Sequence, residues 1–282
     1  METALYCRIL GVTPQGYKRY RRNLNKPDKY AALLADIKAV LDEDKFNAVY
    51  GKRRMYEKLR LDYGCRYCYG TVAKVMRLNG LLQKRNGPKG LTKADKWAHK
   101  SDNLMNRDFI ADAPNRKIVT DITEYRACDG GIYVSAVFDC YDNMCLGLTA
   151  ADSMGAEFVV ETFDQAARRY DLRGAVAHSD RGSQYTSKAF RNALEEFSIK
   201  QSMNGAAGRC HDNAKCESMW ARGKCEIKSV YDISQLTREE LKRLIIYYYT
   251  VYWNGRRICS AIGGVPPAVK RKAYSENAIM DP

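Results

Sequence analysis

Three carboxylates stand out in the 282-residue sequence: Asp121 in VTDITEY, Asp180 in AHSDRGSQYTS and Glu217 in HDNAKCESMWARGK. The first two sit in runs that read as buried strands, and the third in a segment that reads as a helix. A lone carboxylate at a strand end carries little information. Two from separate strands and one from a later helix can converge on a point, and such a cluster suits a hard divalent cation. Mg²⁺ prefers carboxylate oxygens and water, and is usually held by one or two carboxylates together with substrate phosphate. Two such ions about 4 Å apart clamp the attacking and leaving oxygens of a phosphodiester in an in-line displacement. The chemistry implied is metal-dependent cutting or joining of nucleic acid.

The segments that carry and flank these residues fall into a regular order. KIVTDITEYRA, GIYVSAVFDCYDN and MCLGLTA are three β-rich runs joined by short links, which predicts an antiparallel meander. GAEFVVETFDQAARRYD follows as a helix, GAVAHSD as a fourth strand, SKAFRNALEEF as a helix and IKQSM as a short fifth strand. A glycine-rich loop, NGAAGRCHD, then leads into the helix bearing Glu217. This is the order of an α/β ribonuclease-H-like core, a mixed five-stranded sheet with helices. It places Asp121 mid-strand and Asp180 at a strand end on neighbouring central strands, both able to face Glu217.

Upstream, the chain reads as a small all-α module. Residues 1–30 read as a short helix followed by a basic tail. In residues 31–42, Leu33, Leu34, Ile37, Val40 and Leu41 recur at spacings of three and four, an amphipathic helix. Gly51 to Leu61 reads as a second helix, DYGCRYCYG as a turn, and Thr71 as the cap of a third helix ending near Gly80. Two short helices joined by a glycine-bearing turn match a helix-turn-helix over 31–85, with a plain helical hairpin as the alternative. Residues 86–112 read as a basic linker, and 113–282 as the core with a helical tail.

Charge points the same way. The net charge is +14, and residues 1–115 carry 24 Lys and Arg against 12 Asp and Glu, whereas the rest of the chain carries 23 against 21. A basic front attracts phosphate through counterion release, although an anionic membrane or an acidic partner would also answer to it. On this reading Lys52, Arg53, Arg54, Arg66, Lys74, Arg77, Lys84 and Arg85 hold DNA phosphates, and Ser183 and Gln184, with Tyr185 beside them, touch the backbone near Asp180. His178 reads equally as a packed strand residue or an orienting group, and Asn213 equally as a cap or a substrate contact. Tyr247, Tyr248, Tyr249, Tyr252 and Trp253 read better as core than as a stacking platform, and NGRR (Asn254 to Arg257) as a surface turn offering two cations.

No 18-residue apolar run and no export signal appear, so the expected location is cytoplasmic, at the nucleoid, with reduced cysteines. Cys65 and Cys68 form one CxxC, but His99, His178 and His211 are not at zinc-finger spacing, so ordinary cysteines are the better reading.

The motifs together resemble a known group. YCRILGVTPQGYKRY, YGKRRMYEKLRLDYGCRYCYGTVAKVMRLNGLL, TDITEY, HSDRGSQYTS, DNAKCES and YWNGRRICSAIGGVPPA resemble, nearly end to end, the second reading-frame product of the insertion-sequence-three family of bacterial transposases, members of the DDE, retroviral-integrase superfamily. The resemblance implies that Asp121, Asp180 and Glu217 are the catalytic triad, binding two Mg²⁺ or Mn²⁺ ions for DNA cleavage and strand transfer. It implies that Lys224, seven residues and two helical turns beyond Glu217, contacts DNA. It also implies DNA partners (the element's ends and the target), a homo-oligomer on DNA, and an upstream-frame protein or fusion supplying a further helix-turn-helix and leucine zipper. The linker 86–112 and a partly apolar Tyr-rich helix over 238–253 would serve that assembly. Two departures are visible. The Asp180–Glu217 segment holds 36 residues, one more than usual, with the extra residue assigned to NGAAGRCHD, and the aromatic pair after Glu217 is Met219–Trp220. Two rivals share the resemblance: a purely hydrolytic ribonuclease-H-fold nuclease, and a non-catalytic DNA-binding regulator descended from a transposase.

Overall fold

The computed structural model describes residues 2–24, 29–82, 103–105, 108–203 and 213–280. Two helices open the chain, α1 (Glu2–Ile9) and α2 (Pro14–Leu24). The expected basic tail is therefore helical. Thr13 supplies the start, its Oγ1 accepting from Gly16 N at 3.0 Å, and Pro14 occupies the first helical position, where its missing N–H costs nothing.

Helices α3 (Ala31–Glu43), α4 (Lys52–Asp62) and α5 (Tyr69–Leu78) form the next unit. The periodic residues Leu33, Ile37 and Val40 are buried against Met55, Leu59, Val72, Val75 and Met76. The last helix begins before the expected cap. Cys68 stands at its N-cap without a side-chain capping bond, and Thr71 lies within the first turn. Gly80, with φ +68°, closes the helix as its sequence position predicts.

The core follows: β1 (Lys117–Ala127), β2 (Gly130–Asp139), β3 (Cys145–Ala151), α6 (Ala156–Ala167), β4 (Val176–Ser179), α7 (Ser183–Thr186), α8 (Lys188–Glu196), β5 (Lys200–Met203), α9 (Ala214–Val230), α10 (Arg238–Ile246) and α11 (Pro267–Met280). The sheet order is β3-β2-β1-β4-β5. β1 is antiparallel to β2 and parallel to β4, and β5 is parallel to β4. The two faces of the sheet bury different sets. Ile118 and Ala177 pack with Phe158, Phe163, Phe190 and Leu194 of α6 and α8. Val119, Tyr125 and Phe138 pack with Met219, Trp220 and Ile227 of α9. Close approach is fixed by glycine on both faces. A Cβ on Gly147 would stand 2.3 Å from the Thr162 carbonyl, and one on Gly223 would stand 1.9 Å from the Tyr249 hydroxyl.

The α3–α5 unit shares the second face's apolar cluster. Phe46 packs edge-on to Tyr248 at 4.8 Å and also contacts Tyr231 and Tyr252. Tyr248, Tyr249, Tyr252 and Trp253 lie in a π-helical turn, Tyr247–Trp253, and are buried, as their helical spacing predicts. The Tyr-rich stretch therefore turns its rings inward, and Ile246, Tyr247 and Val251 are what it exposes.

The expected surface turn at 254–257 is half internal: Gly255 and Arg256 are exposed, Asn254 and Arg257 buried. Asn254 brackets Cys145 with both amide atoms, and the Arg257 side chain is 1% exposed, paired with Glu226. The last helix is anchored in the same manner. Arg271 binds Asp139 at 2.7 Å and Asp142 at 2.6 Å, both aspartates being fully buried in and after the end of β2.

Candidate active site

Asp121 and Asp180 are brought together by strand register. β1 and β4 run parallel, with Val119 opposite His178. Each aspartate stands two residues further along its own chain, and neighbouring strands lie about 4.8 Å apart. Side chains alternate between faces, so Asp121 shares the face of Val119 and Tyr125, the one packed with α9. Asp180 follows the last residue of β4, Ser179, directly, close enough for its charge to act on Asp121. Both are half-buried. Glu217 lies in the first turn of α9 and is exposed.

The electrostatics centre on Asp121. Burial pushes Asp121 up to about 7, the charge of Asp180 adds to this, and Glu217 contributes further, against the Ile122 N–H bond and the more distant charge of Lys224. Asp180 is also raised, by burial, in spite of the Gly182 N–H donated to Oδ1 at 2.9 Å. Lys224 is lowered, mainly by its own burial and then by Lys228, while Asp121 and Glu124 pull it the other way. Its ammonium rests 5.2 Å from the centre of the Tyr125 ring. Ionisation of Asp121 is thus made costly first by burial and then by the two neighbouring carboxylates, whereas Asp180 is raised by burial alone.

Among the described residues no three His, Cys, Asp or Glu side chains stand as a ready ligand cage. The carboxylates nevertheless fit a hard divalent ion: Asp121 half-buried on β1, Asp180 half-buried directly after β4 and Glu217 exposed on the facing helix, with the Ile122 and Gly182 N–H groups each occupying only one oxygen, Oδ1, of Asp121 and Asp180.

The neighbours sort out several open readings. His178 is a packed residue: its ring is fully buried, with Nδ1 2.9 Å from Ser202 Oγ and its edge toward Phe109. Ser183 is exposed and Gln184 half-exposed, on α7 just beyond Asp180. Tyr185 is not available to a backbone, being 1% exposed. Its hydroxyl lies 3.2 Å from Thr120 Oγ1. Asn213 is an N-cap by position but makes no capping bond. Its amide donates to the Thr120 carbonyl at 3.2 Å, an arrangement that neither reading of the residue anticipated. Nothing local in the sequence signals these contacts, because they join residues 65 and 93 positions apart.

The basic front is mixed. Arg66, Lys74 and Arg77 are exposed on the turn and on α5, and Lys52 is half-exposed on α4. Arg53 is exposed but paired with Glu57 at 3.0 Å. Arg54 points inward, its guanidinium 2.8 Å from Glu226, so it is a structural ion-pair residue where charge alone made it a phosphate contact. Lys84, Arg85, most of the 86–112 linker and the NGAAGRCHD loop lie outside the described residues. None of the described helices is long and apolar enough to cross a membrane.

Comparison with known proteins agrees with this architecture. Residues 111–210 match the model of the integrase core domain, and residues 28–89 that of an HTH-like domain. The chain is 32% identical over 275 residues to the transposase for insertion sequence element IS629 of Shigella sonnei, covering 95% of this chain and 90% of the relative. It is 31% identical to the putative transposase InsK for insertion sequence element IS150 of Escherichia coli K12, over 86% of this chain and 84% of that protein. With the transposase InsF for insertion sequence IS3A of the same strain it shares 28% identity over 93% and 91%. Among solved structures, the HTLV-2 integrase catalytic core domain in complex with magnesium is similar over 56% of this chain and 97% of that one, at 14% identity and a TM-score of 0.41.

Proposed function

This chain belongs to the insertion-sequence-three family of transposases, and we propose that Asp121, Asp180 and Glu217 form its reaction centre for DNA cleavage and strand transfer. The observation that most supports the reading is Asp121 itself, whose carboxyl is raised by burial and by the charges of both Asp180 and Glu217, side chains of two other segments. Asp121 and Asp180 would hold two Mg²⁺ or Mn²⁺ ions between them, with Glu217 completing one ligand set. Bound there, the ions would stabilise the charge that develops on a scissile phosphate and activate water.

The protein's own groups supply the rest. Lys224, half-buried on the same helix as Glu217, adds positive charge beside the carboxylates and suits a phosphate. The Tyr185 phenol is held by Thr120 and kept protonated by burial, so it is not a nucleophile. The attacking groups are water in the first step and the freed 3′-hydroxyl of the element's end in the second. Lys52, Arg66, Lys74 and Arg77 give a phosphate-holding surface on the α4–α5 unit, and Ser183 and Gln184 flank the centre. The DNA-bound form is a homo-oligomer, because joining two ends requires both to be held at once, and an upstream-frame partner or fusion is the source of sharper end recognition.

The deciding experiment gives the purified chain a labelled DNA duplex carrying the element's end. Mg²⁺- or Mn²⁺-dependent nicking followed by strand transfer is expected. Transfer that persists in chelator, or in Asp180→Asn, refutes the metal-carboxylate reading. Nicking without transfer points to a hydrolytic nuclease. DNA binding with neither activity points to a regulator.

A further inference from the structure

The β1–β4 ladder ends at Val119–His178, before either aspartate is reached. At the carboxylates, hydrogen bonds between these two strands no longer set the spacing. One residue takes over that task. Thr120, next to Asp121 and 1% exposed, receives the Asn213 amide on its carbonyl at 3.2 Å and meets the Tyr185 hydroxyl with its own at 3.2 Å. Asn213 precedes Glu217 by one helical turn, and Tyr185 follows Asp180 across α7. Each of the three segments bearing a carboxylate is thus tied to the others through a residue that is not itself a ligand.

We propose that Thr120, Asn213 and Tyr185 form a positioning clamp that sets the distances among Asp121, Asp180 and Glu217. This rests on the reading of those three as the reaction centre.

The chemistry of Asn213 argues for position over stability. The residue is 2% exposed, yet its Oδ1 has no hydrogen-bond partner among the described residues. A buried acceptor left unpaired costs at least as much as an ordinary hydrogen bond contributes. The amide therefore yields little net stability by donating to Thr120. What the bond does supply is a fixed offset between the start of α9 and the strand of Asp121. Tyr185 is held differently, packed edge-on to Phe190 at 5.3 Å. Its hydroxyl is the single polar handle of a ring otherwise set in the core, and it is spent on Thr120.

The test uses the full chain and four variants that leave its charge unchanged: Asn213→Ala, Tyr185→Phe, Thr120→Val and Thr120→Ser. Asn213→Ala is expected to melt within a few degrees of wild type, because the lost bond is offset by removal of the unpaired carbonyl. Its strand-transfer rate on pre-cleaved ends should nevertheless fall about 10- to 100-fold, the scale of a misplaced reacting group. Half-saturation by DNA should not move. Mn²⁺ binding without DNA, followed by the electron paramagnetic resonance of the free ion, should weaken several-fold. Tyr185→Phe and Thr120→Val should follow in the same direction with smaller losses, and Thr120→Ser, which keeps the hydroxyl, should restore wild-type behaviour. Wild-type rate and Mn²⁺ affinity in folded Asn213→Ala and Tyr185→Phe overturn the proposal, as does a loss confined to melting temperature. If Asn213→Ala does not fold, the contrast between Thr120→Val and Thr120→Ser decides. Asp121→Asn separates the two readings: if it is inactive while the clamp variants are normal, only the clamp fails, and if it is active, the reaction centre itself is misassigned.

Discussion

Two carboxylate sites, one buried in α9 and one half-buried on β1, have opposite electrostatics. Glu226, in the second half of α9, is bound by Arg257 at 2.7 and 3.0 Å, by Arg54 at 2.8 Å and by the Tyr248 hydroxyl at 2.7 Å. Its carboxyl is held down to about 2, because the two guanidinium groups and the hydrogen bonds outweigh its burial. Asp121 is raised to about 7 by burial and by its carboxylate neighbours. One carboxylate is closed and neutralised by the protein, whereas the other keeps its proton up to about pH 7 because no partner offsets its burial and its acidic neighbours. The difference separates a carboxylate paired inside the fold from one whose charge the fold itself does not compensate.

The contrast breaks first at the open site. Asp180→Asn or Asp121→Asn should reduce cleavage and strand transfer by on the order of a thousandfold or more, since a ligand of the reacting centre is lost. Melting temperature should hold or rise, because a repulsive charge has been removed. Scanning calorimetry beside a labelled-end assay checks both, and a variant that loses stability along with activity would make the site structural.

At the closed site the order reverses. Glu226→Ala leaves Arg257 buried without its partner, and unfolding free energy should fall by about 3–5 kcal/mol. Denaturant titration measures it. Residual activity, normalised to the folded fraction, should stay near wild type.

Proton linkage gives opposite slopes. Glu226, depressed from 4.5 to about 2, contributes stability that is fully present above 4.5 and is lost as pH falls toward 2. Asp121, raised from 3.8 to about 7, favours the fold at low pH and loses that contribution as pH rises through 7 in metal-free protein. Adding Mg²⁺ should flatten the second slope and leave the first unchanged, which melting curves from pH 3 to 8 would reveal.

The smallest effect distinguishes the two kinds of arginine on the front module. Arg77→Ala should lower the salt slope of DNA binding by about one and leave stability alone. Arg54→Ala should destabilise and leave that slope unchanged. A change of slope in both variants would mean that Arg54 leaves Glu226 when DNA binds.

The sequence was most informative where local periodicity coincides with burial. The β1 and β2 runs, the helix carrying Glu217 and the inward Tyr248, Tyr249, Tyr252 and Trp253 all follow from alternation or helical spacing. The choice of Asp121, Asp180 and Glu217 rests on motifs, which place a carboxylate relative to its own element and leave its distance to the other two to the fold. Contacts between distant segments were not legible. NGRR has the composition of a surface turn, and only the fold reveals that Arg257 meets Glu226, 31 residues earlier. Arg54 read as a phosphate contact for the same reason: charge counts do not say which way a side chain points. The helical character of residues 14–24 was available in Thr13–Pro14, but the density of arginines there obscured it.

The anchoring of α11 bears on how intact copies of such an element are recognised in a genome. Arg271 is the cation that the buried Asp139 and Asp142 share. A copy whose reading frame stops short of Arg271 retains every motif of the proposed triad, from Asp121 to Glu217, yet leaves Asp139 and Asp142 without the cation they share. Such a copy would score as complete by its motifs and be inert as a protein. The codons of the final helix are therefore as informative about a live element as those of the triad.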